Sequence, residues 1–147
     1  MASDLIEAVR SGWGWMDIDP KVVKAINAFG NLLVEDHGGH YWRICPEETS
    51  AEMVAENEQT YNSLLLDAEF VEDWEMLRLV QLAVRKLGKP TDGRCFCLKI
   101  PAMLGGKYDA ENFGTIPITE LIFCSGDIAR QIKNLPDGAQ IQFKIVD

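Results

Sequence analysis

The residues best suited to chemistry are two histidines and four cysteines. His37-Gly38-Gly39-His40, Cys45 and Cys95-Phe96-Cys97 offer the nitrogen and sulfur donors that zinc prefers. Thiols at i and i+2 of a strand share one face. Common zinc patterns, however, place two or more residues between paired cysteines. Buried thiols and a histidine-containing turn are the simpler reading. A Cys-His nucleophile needs an activated thiol, and nothing local marks any of the four. Leu104-Gly105-Gly106-Lys107-Tyr108 has the glycines and lysine of a phosphate loop. It lacks the first glycine of that motif and the Ser or Thr after the lysine. A turn requiring positive φ accounts for it. Carboxylate pairs for glycoside chemistry carry no information in a chain with 23 acids. No catalytic residue, metal set or cofactor follows from these patterns.

The acids themselves are unevenly placed. Against 14 Lys and Arg they give a net charge of −9. A general DNA or RNA binder normally carries the opposite sign, because phosphate contacts need cations. Ten of the carboxylates fall between Glu47 and Met76, a stretch with no Lys or Arg. Glu48, Glu52 and Glu56 recur at i+4, so they are expected to line one helix face. Like charges at that spacing repel by a few tenths of a kcal/mol per pair. A solvated face accounts for this, and so does a surface that meets a basic partner.

The elements that position these groups are read as follows. Ser3–Arg10 is a short helix, broken by Ser11-Gly12-Trp13-Gly14-Trp15. Asp19-Pro20 restarts a helix through Val22, Val23, Ile26 and Phe29, with proline at the first helical position. Asn31–Glu35 and His40–Cys45 are strands around an Asp36-His37-Gly38-Gly39 hairpin loop. Tyr41 and Arg43 share one face of the second strand; Trp42 and Ile44 share the other. Thr49-Ser50-Ala51-Glu52 matches a capping box opening a helix. A further helix runs from near Glu69, through Phe70, Trp74, Leu77 and Val80, to Leu87 before Gly88 and Pro90. Trp74 is expected in the core; Trp13 and Trp15 fit a core or an interface, and Trp42 fits a core. Arg94–Ile100 is a strand and Pro101–Asn112 a loop. Thr115–Ile118 is a short extended piece and Glu120–Leu135 a helix. Pro136-Asp137-Gly138 is a turn before a strand at Gln140–Val146. The fold class is α+β: a single domain over residues 1–147, with a short helical extension at about 1–12 and a mainly antiparallel sheet covered by helices.

Hydrophobic residues make up 47% of the chain, enough for a core. No stretch is long and apolar enough for a membrane span, and Met1-Ala2-Ser3-Asp4 does not open a secretory signal. Four cysteines without an export signal are expected to be reduced thiols in a cytoplasmic protein.

Three segments carry a family likeness: Gly38–Glu47 (GGHYWRICPE), Lys99–Asn112 (KIPAMLGGKYDAEN) and Ser125–Gly138 (SGDIARQIKNLPDG). Together they resemble the C-terminal domain of bacterial type VI secretion DNase-immunity proteins, and more distantly the SUKH group of immunity proteins. The likeness runs from about Trp13 to Asp147. Its most specific part is Pro-Ala-x-Leu-Gly-Gly followed by an asparagine. Many such proteins carry a second domain ahead of this one, and few residues precede the likeness here. The resemblance implies a non-enzymatic antidote. Such a protein binds a cognate protein toxin in the cytoplasm, a nuclease effector by expectation, and does not itself engage nucleic acid or membrane. A nuclease site must attract phosphate and so carries Lys or Arg. Glu52, Glu56, Asp67, Glu69, Glu72 and Asp73 are then the expected toxin-binding residues. The competing readings are a small-ligand- or metal-binding protein or enzyme, using the Gly105-Gly106 loop or the cysteines, and an oligomeric scaffold.

Overall fold

The computed structural model describes residues 2–135. The expected turn at Pro136-Asp137-Gly138 and strand at Gln140–Val146 lie outside them. Helix α1 (Ala2–Trp13) leads into a four-stranded antiparallel meander of β1 (Pro20–Ile26), β2 (Leu32–Asp36), β3 (Tyr41–Cys45) and β4 (Ser50–Ala55). Three helices follow: α2 (Glu58–Leu64), α3 (Ala68–Glu75) and α4 (Leu77–Leu87). A two-stranded antiparallel sheet, β5 (Arg94–Leu98) with β6 (Phe113–Pro117), precedes α5 (Ile118–Ile132). The fold is α+β, as its mixture of apolar periods implies.

Alternation along β2 and β3 decides the layering. Leu32, Val34 and Ile44 point to one face, where Leu5, Val9 and Trp13 of α1 and Ile122 and Ala129 of α5 cover them. Helix α1 therefore belongs to the core. It runs on to Trp13, past the expected break at Ser11, and packs closely on α5. A Cβ on Gly126 would stand 2.2 Å from the Gly12 carbonyl oxygen. Leu33 and Tyr41 point to the other face, under Tyr61 of α2 and Phe70 and Trp74 of α3. A second apolar centre joins Phe29, Phe96, Leu98 and Phe113 with Ala83 and the inner side of α4.

Three expected elements differ. Residues 20–26 form edge strand β1, not a helix. Register shifts between Pro20 and Val22 and between Val23 and Ala25 break the two-residue alternation, so the apolar spacing imitates a helix. β-Branched Val22, Val23 and Ile26 suit the strand, and proline is tolerated at its first position. Residues 50–55 form strand β4, not a helix. Thr49 takes φ 48°, and its hydroxyl donates to the Glu48 carbonyl, so no capping box forms. The tight turn at Pro46–Glu48 returns the chain onto β3, pairing Cys45 with Ser50 and Arg43 with Glu52. The long helix expected from Glu69 to Leu87 breaks at Met76, which adopts φ 50°. The Asn27 amide donates to the Trp74 carbonyl at 2.9 Å and so accepts the end of α3. The break lets α3 face the sheet while α4 faces the second apolar centre.

Asp36 closes the β2–β3 hairpin. Its carboxylate accepts the Gly38 and His40 N–H groups, both at 2.9 Å, and the Trp42 indole N–H at 3.0 Å. Burial alone would raise its pKa; those three hydrogen bonds and the nearby His40 outweigh burial and hold it below the ordinary 3.8. A depressed folded value means the contribution is complete above 3.8 and is lost as pH falls through the folded value. Asp36→Ala should lower unfolding free energy in urea by about 2 kcal/mol at neutral pH. The gap to the parent chain should narrow on acidification. A gap independent of pH would mean that the carboxylate charge is irrelevant to the turn.

Candidate functional site

A cleft of about 1230 Å³ lies where β3 and β4 meet α3 and the start of α4. Its lining includes Glu48, Glu52, Glu69, Glu72, Asp73 and Glu75, with Val71, Met76, Leu77 and Tyr108 as apolar surface. Glu52 stands on β4 opposite Arg43 of β3. Glu69, Glu72 and Asp73 come from α3. So four of the six acids singled out in the sequence, Glu52, Glu69, Glu72 and Asp73, line one cleft. Glu56 follows the end of β4, and Asp67 caps α3; neither lines it. The Asp67 carboxylate accepts the Glu69 N–H at 2.9 Å and the Phe70 N–H at 3.3 Å. The four acids converge through a strand and a helix, and Glu48, Glu52 and Glu56, whose i+4 spacing suggested one helix face, lie in a turn, in β4 and just after it.

Below the cleft is a buried polar network. Arg43 reaches it from the inward face of β3, which makes a charged residue on a core-facing strand position its one sequence signal. Its guanidinium donates to Asn31 Oδ1 at 3.0 Å through Nη2 and to Asp73 Oδ2 at 2.5 Å through Nη1. It also lies over the rings of Trp74 at 5.3 Å and Phe70 at 5.8 Å, within cation–π range. The Asn31 amide donates to both oxygens of Glu47, at 2.9 Å to Oε2. Glu47 is only 3% exposed. Burial pushes its carboxyl pKa up, against hydrogen bonds from Asn31 and Cys45 and the charge of Arg43. Among the described residues every buried side-chain nitrogen and oxygen has a hydrogen-bond partner. The network ties the sheet to α3, and through Asp73 it sets where the helix acids stand.

The thiols and histidines do not assemble into a centre. The Cys45 thiol donates to Asn31 Oδ1 at 3.0 Å, and burial followed by the Glu47 charge pushes its pKa up. Burial and the neighbouring Cys97 raise Cys95 to about 12. Neither is an activated nucleophile at neutral pH. His37 pairs with Asp19, and His40 with Asp36, at the hairpin end of β3. Among the described residues no group of three His, Cys, Asp or Glu is placed to hold a metal ion. Gly105 takes φ 95°, the backbone state that the Gly-Gly turn required.

A surface built from convergent carboxylates on a rigid sheet-and-helix frame suits recognition of a cationic group. The sequence profile described as T6SS immunity protein Tdi1, C-terminal, matches residues 55–129. The chain belongs to this family. The matched span covers α2 to most of α5, including the α3 wall of the cleft and the Gly105-Gly106 loop. β1–β3 and nearly all of β4 precede it, and β3 and β4 among them supply the opposite wall. Among solved structures the chain is similar to Atu4351 from Agrobacterium tumefaciens, at 16% identity and a TM-score of 0.58. The likeness covers 86% of this chain and 64% of that one, and at this identity it speaks for the fold alone. No curated protein matches the sequence. Among the described residues no helix is long and apolar enough to cross a membrane.

Proposed function

We propose that this protein is a non-enzymatic immunity protein. It binds a cognate type VI secretion toxin in the cytoplasm of the producing cell and blocks it with the acidic cleft. The observation that carries this reading is the convergence of Glu52, Glu69, Glu72 and Asp73 on one cleft. Membership of an immunity-protein family supports it. The arginines lining the cleft are Arg43, already engaged by Asp73 and Asn31, and Arg78. A partner with clustered Lys or Arg meets complementary charge there, which speeds encounter and selects against acidic partners. A nuclease fits best, because its active site must hold phosphate with cations. In this reading Glu52, Glu69 and Glu72 meet the toxin. Asp73 fixes α3 through Arg43, and Glu56 and Asp67 add to the surrounding negative field.

Expression of the toxin gene expected beside this one should arrest growth, and co-expression of this chain should restore it through a one-to-one complex. If the neighbouring product is toxic but neither binds nor is rescued, the reading fails.

A further inference from the structure

The segment between β5 and β6 is built more firmly than a connection requires. Its first turn, Ala102–Leu104, closes through Gly105 and Gly106, whose N–H groups donate to Ala102 and Pro101 carbonyls at 3.0 Å. Gly106 lies so close to the returning chain that an added Cβ would stand 1.7 Å from the Ile100 oxygen. The Asn112 side chain then locks the loop. Its Oδ1 accepts the Ile100 N–H at 2.9 Å, and its amide donates to the Ile100 and Lys107 carbonyls at 3.0 and 2.9 Å. Lys86 of α4 donates to the Ala110 carbonyl, and Ala102 packs on the second apolar centre.

This frame holds apolar side chains out to solvent. Met103 is 63% exposed, Ile100 49% and Tyr108 36%. Tyr108 also lines the acidic cleft and donates its hydroxyl to Glu48. Tyr108 ties the loop to the cleft, and the Ala102–Leu104 turn packs beside Pro46–Glu48 at the cleft edge. Lys99 and Lys107 offset Asp109 and Glu111 in the loop, so its contribution is contact and not steering.

We propose that residues 100–108 form an apolar anchor for the same toxin whose basic groups enter the cleft, an inference that rests on the toxin-binding reading above. A loop already ordered loses little freedom on binding, and an exposed methionine adapts to its partner. The anchor sets residence time, while the cleft acids set the rate of encounter.

The test uses the whole chain and an inactivated toxin domain from the adjacent reading frame, with association and dissociation followed separately. Ile100→Ser with Met103→Ser should raise the dissociation rate about tenfold or more and leave the association rate and its salt dependence within about twofold. Leu66→Ser removes a side chain that is 87% exposed outside the cleft, and should change neither. Gly106→Ala keeps every anchor side chain but forces the loop to shift, so it should raise dissociation as well. Should Gly106→Ala fail to fold, the double serine variant decides alone. An unchanged dissociation rate in that variant, with the parent chain bound, overturns the anchor and leaves the cleft reading standing. A parent chain that does not bind overturns both.

Discussion

Arg43→Met should destabilise the fold by about 3 kcal/mol or more, a fall in Tm of about 10 °C. The guanidinium joins three environments: Asn31 in the core, Asp73 on α3, and the faces of Phe70 and Trp74. Methionine fills much of the volume, so the loss reports hydrogen bonds and charge more than a cavity. It leaves the weak Cys45 thiol as donor to Asn31 Oδ1 and removes the positive charge that lowers the pKa of the buried Glu47. Asp73→Asn removes the exposed end of the same pair and should cost about 1 kcal/mol or less. Equal costs for the two variants would show that the buried end contributes nothing special.

The pH dependence adds a second reading of the same variant. Glu47 has a folded pKa raised above its ordinary value of 4.5, first by burial. The folded state therefore holds the proton more tightly, and stability declines as pH rises from about 4.5 through the folded value. Arg43 opposes that rise. Without it the Glu47 value climbs further and the declining window widens. The gap between Arg43→Met and the parent chain should grow from mildly acidic to mildly basic pH, as measured by urea titration at each.

Several parts of this architecture were written plainly in the sequence. The β2–β3 hairpin follows from two short alternating runs around Asp36-His37-Gly38-Gly39, and α5 follows from a helical period with no competing pattern. The edge strands were not legible, for opposite reasons. β1 is composed like a strand, but its bulges scramble the alternation that announces one. β4 alternates poorly and reads Ser-Ala-Glu-Met-Val-Ala, good helix material that pairing with β3 overrides. The break at Met76 was hidden because a left-handed residue between two apolar helical runs leaves no composition signal. The same limits apply to the site. The uninterrupted acids from Glu47 to Met76 marked the right stretch of chain. Their convergence depends on a strand and a helix facing each other across Arg43, which is a property of the tertiary fold. Glu47 belongs to that run by composition, yet it is a buried ligand of Asn31 and not part of the exposed surface.

Reversing the cleft charge should have the largest effect on function. In Glu52→Lys with Glu69→Lys and Glu72→Lys, association with a basic toxin domain should slow by about tenfold to a hundredfold at low salt. The two rates should converge as salt rises, because screening removes the field that distinguishes them. These three acids line the cleft from both walls. They also make none of the buried hydrogen bonds that hold α3, so the fold should survive the change. Asp67 is unsuitable for such a test, since its carboxylate caps α3 and a lysine there would loosen the helix that carries Glu69 and Glu72. Glu56→Lys makes the better comparison: it changes net charge by the same amount per residue but stands outside the cleft. It should slow association by less per charge than any of the three. If Glu56→Lys matched them, net charge alone would govern encounter, and the cleft would lose its claim as the docking site. If the triple variant associated at the parental rate at low salt, acidic steering would be wrong altogether, and the affinity would have to come from uncharged contact surface.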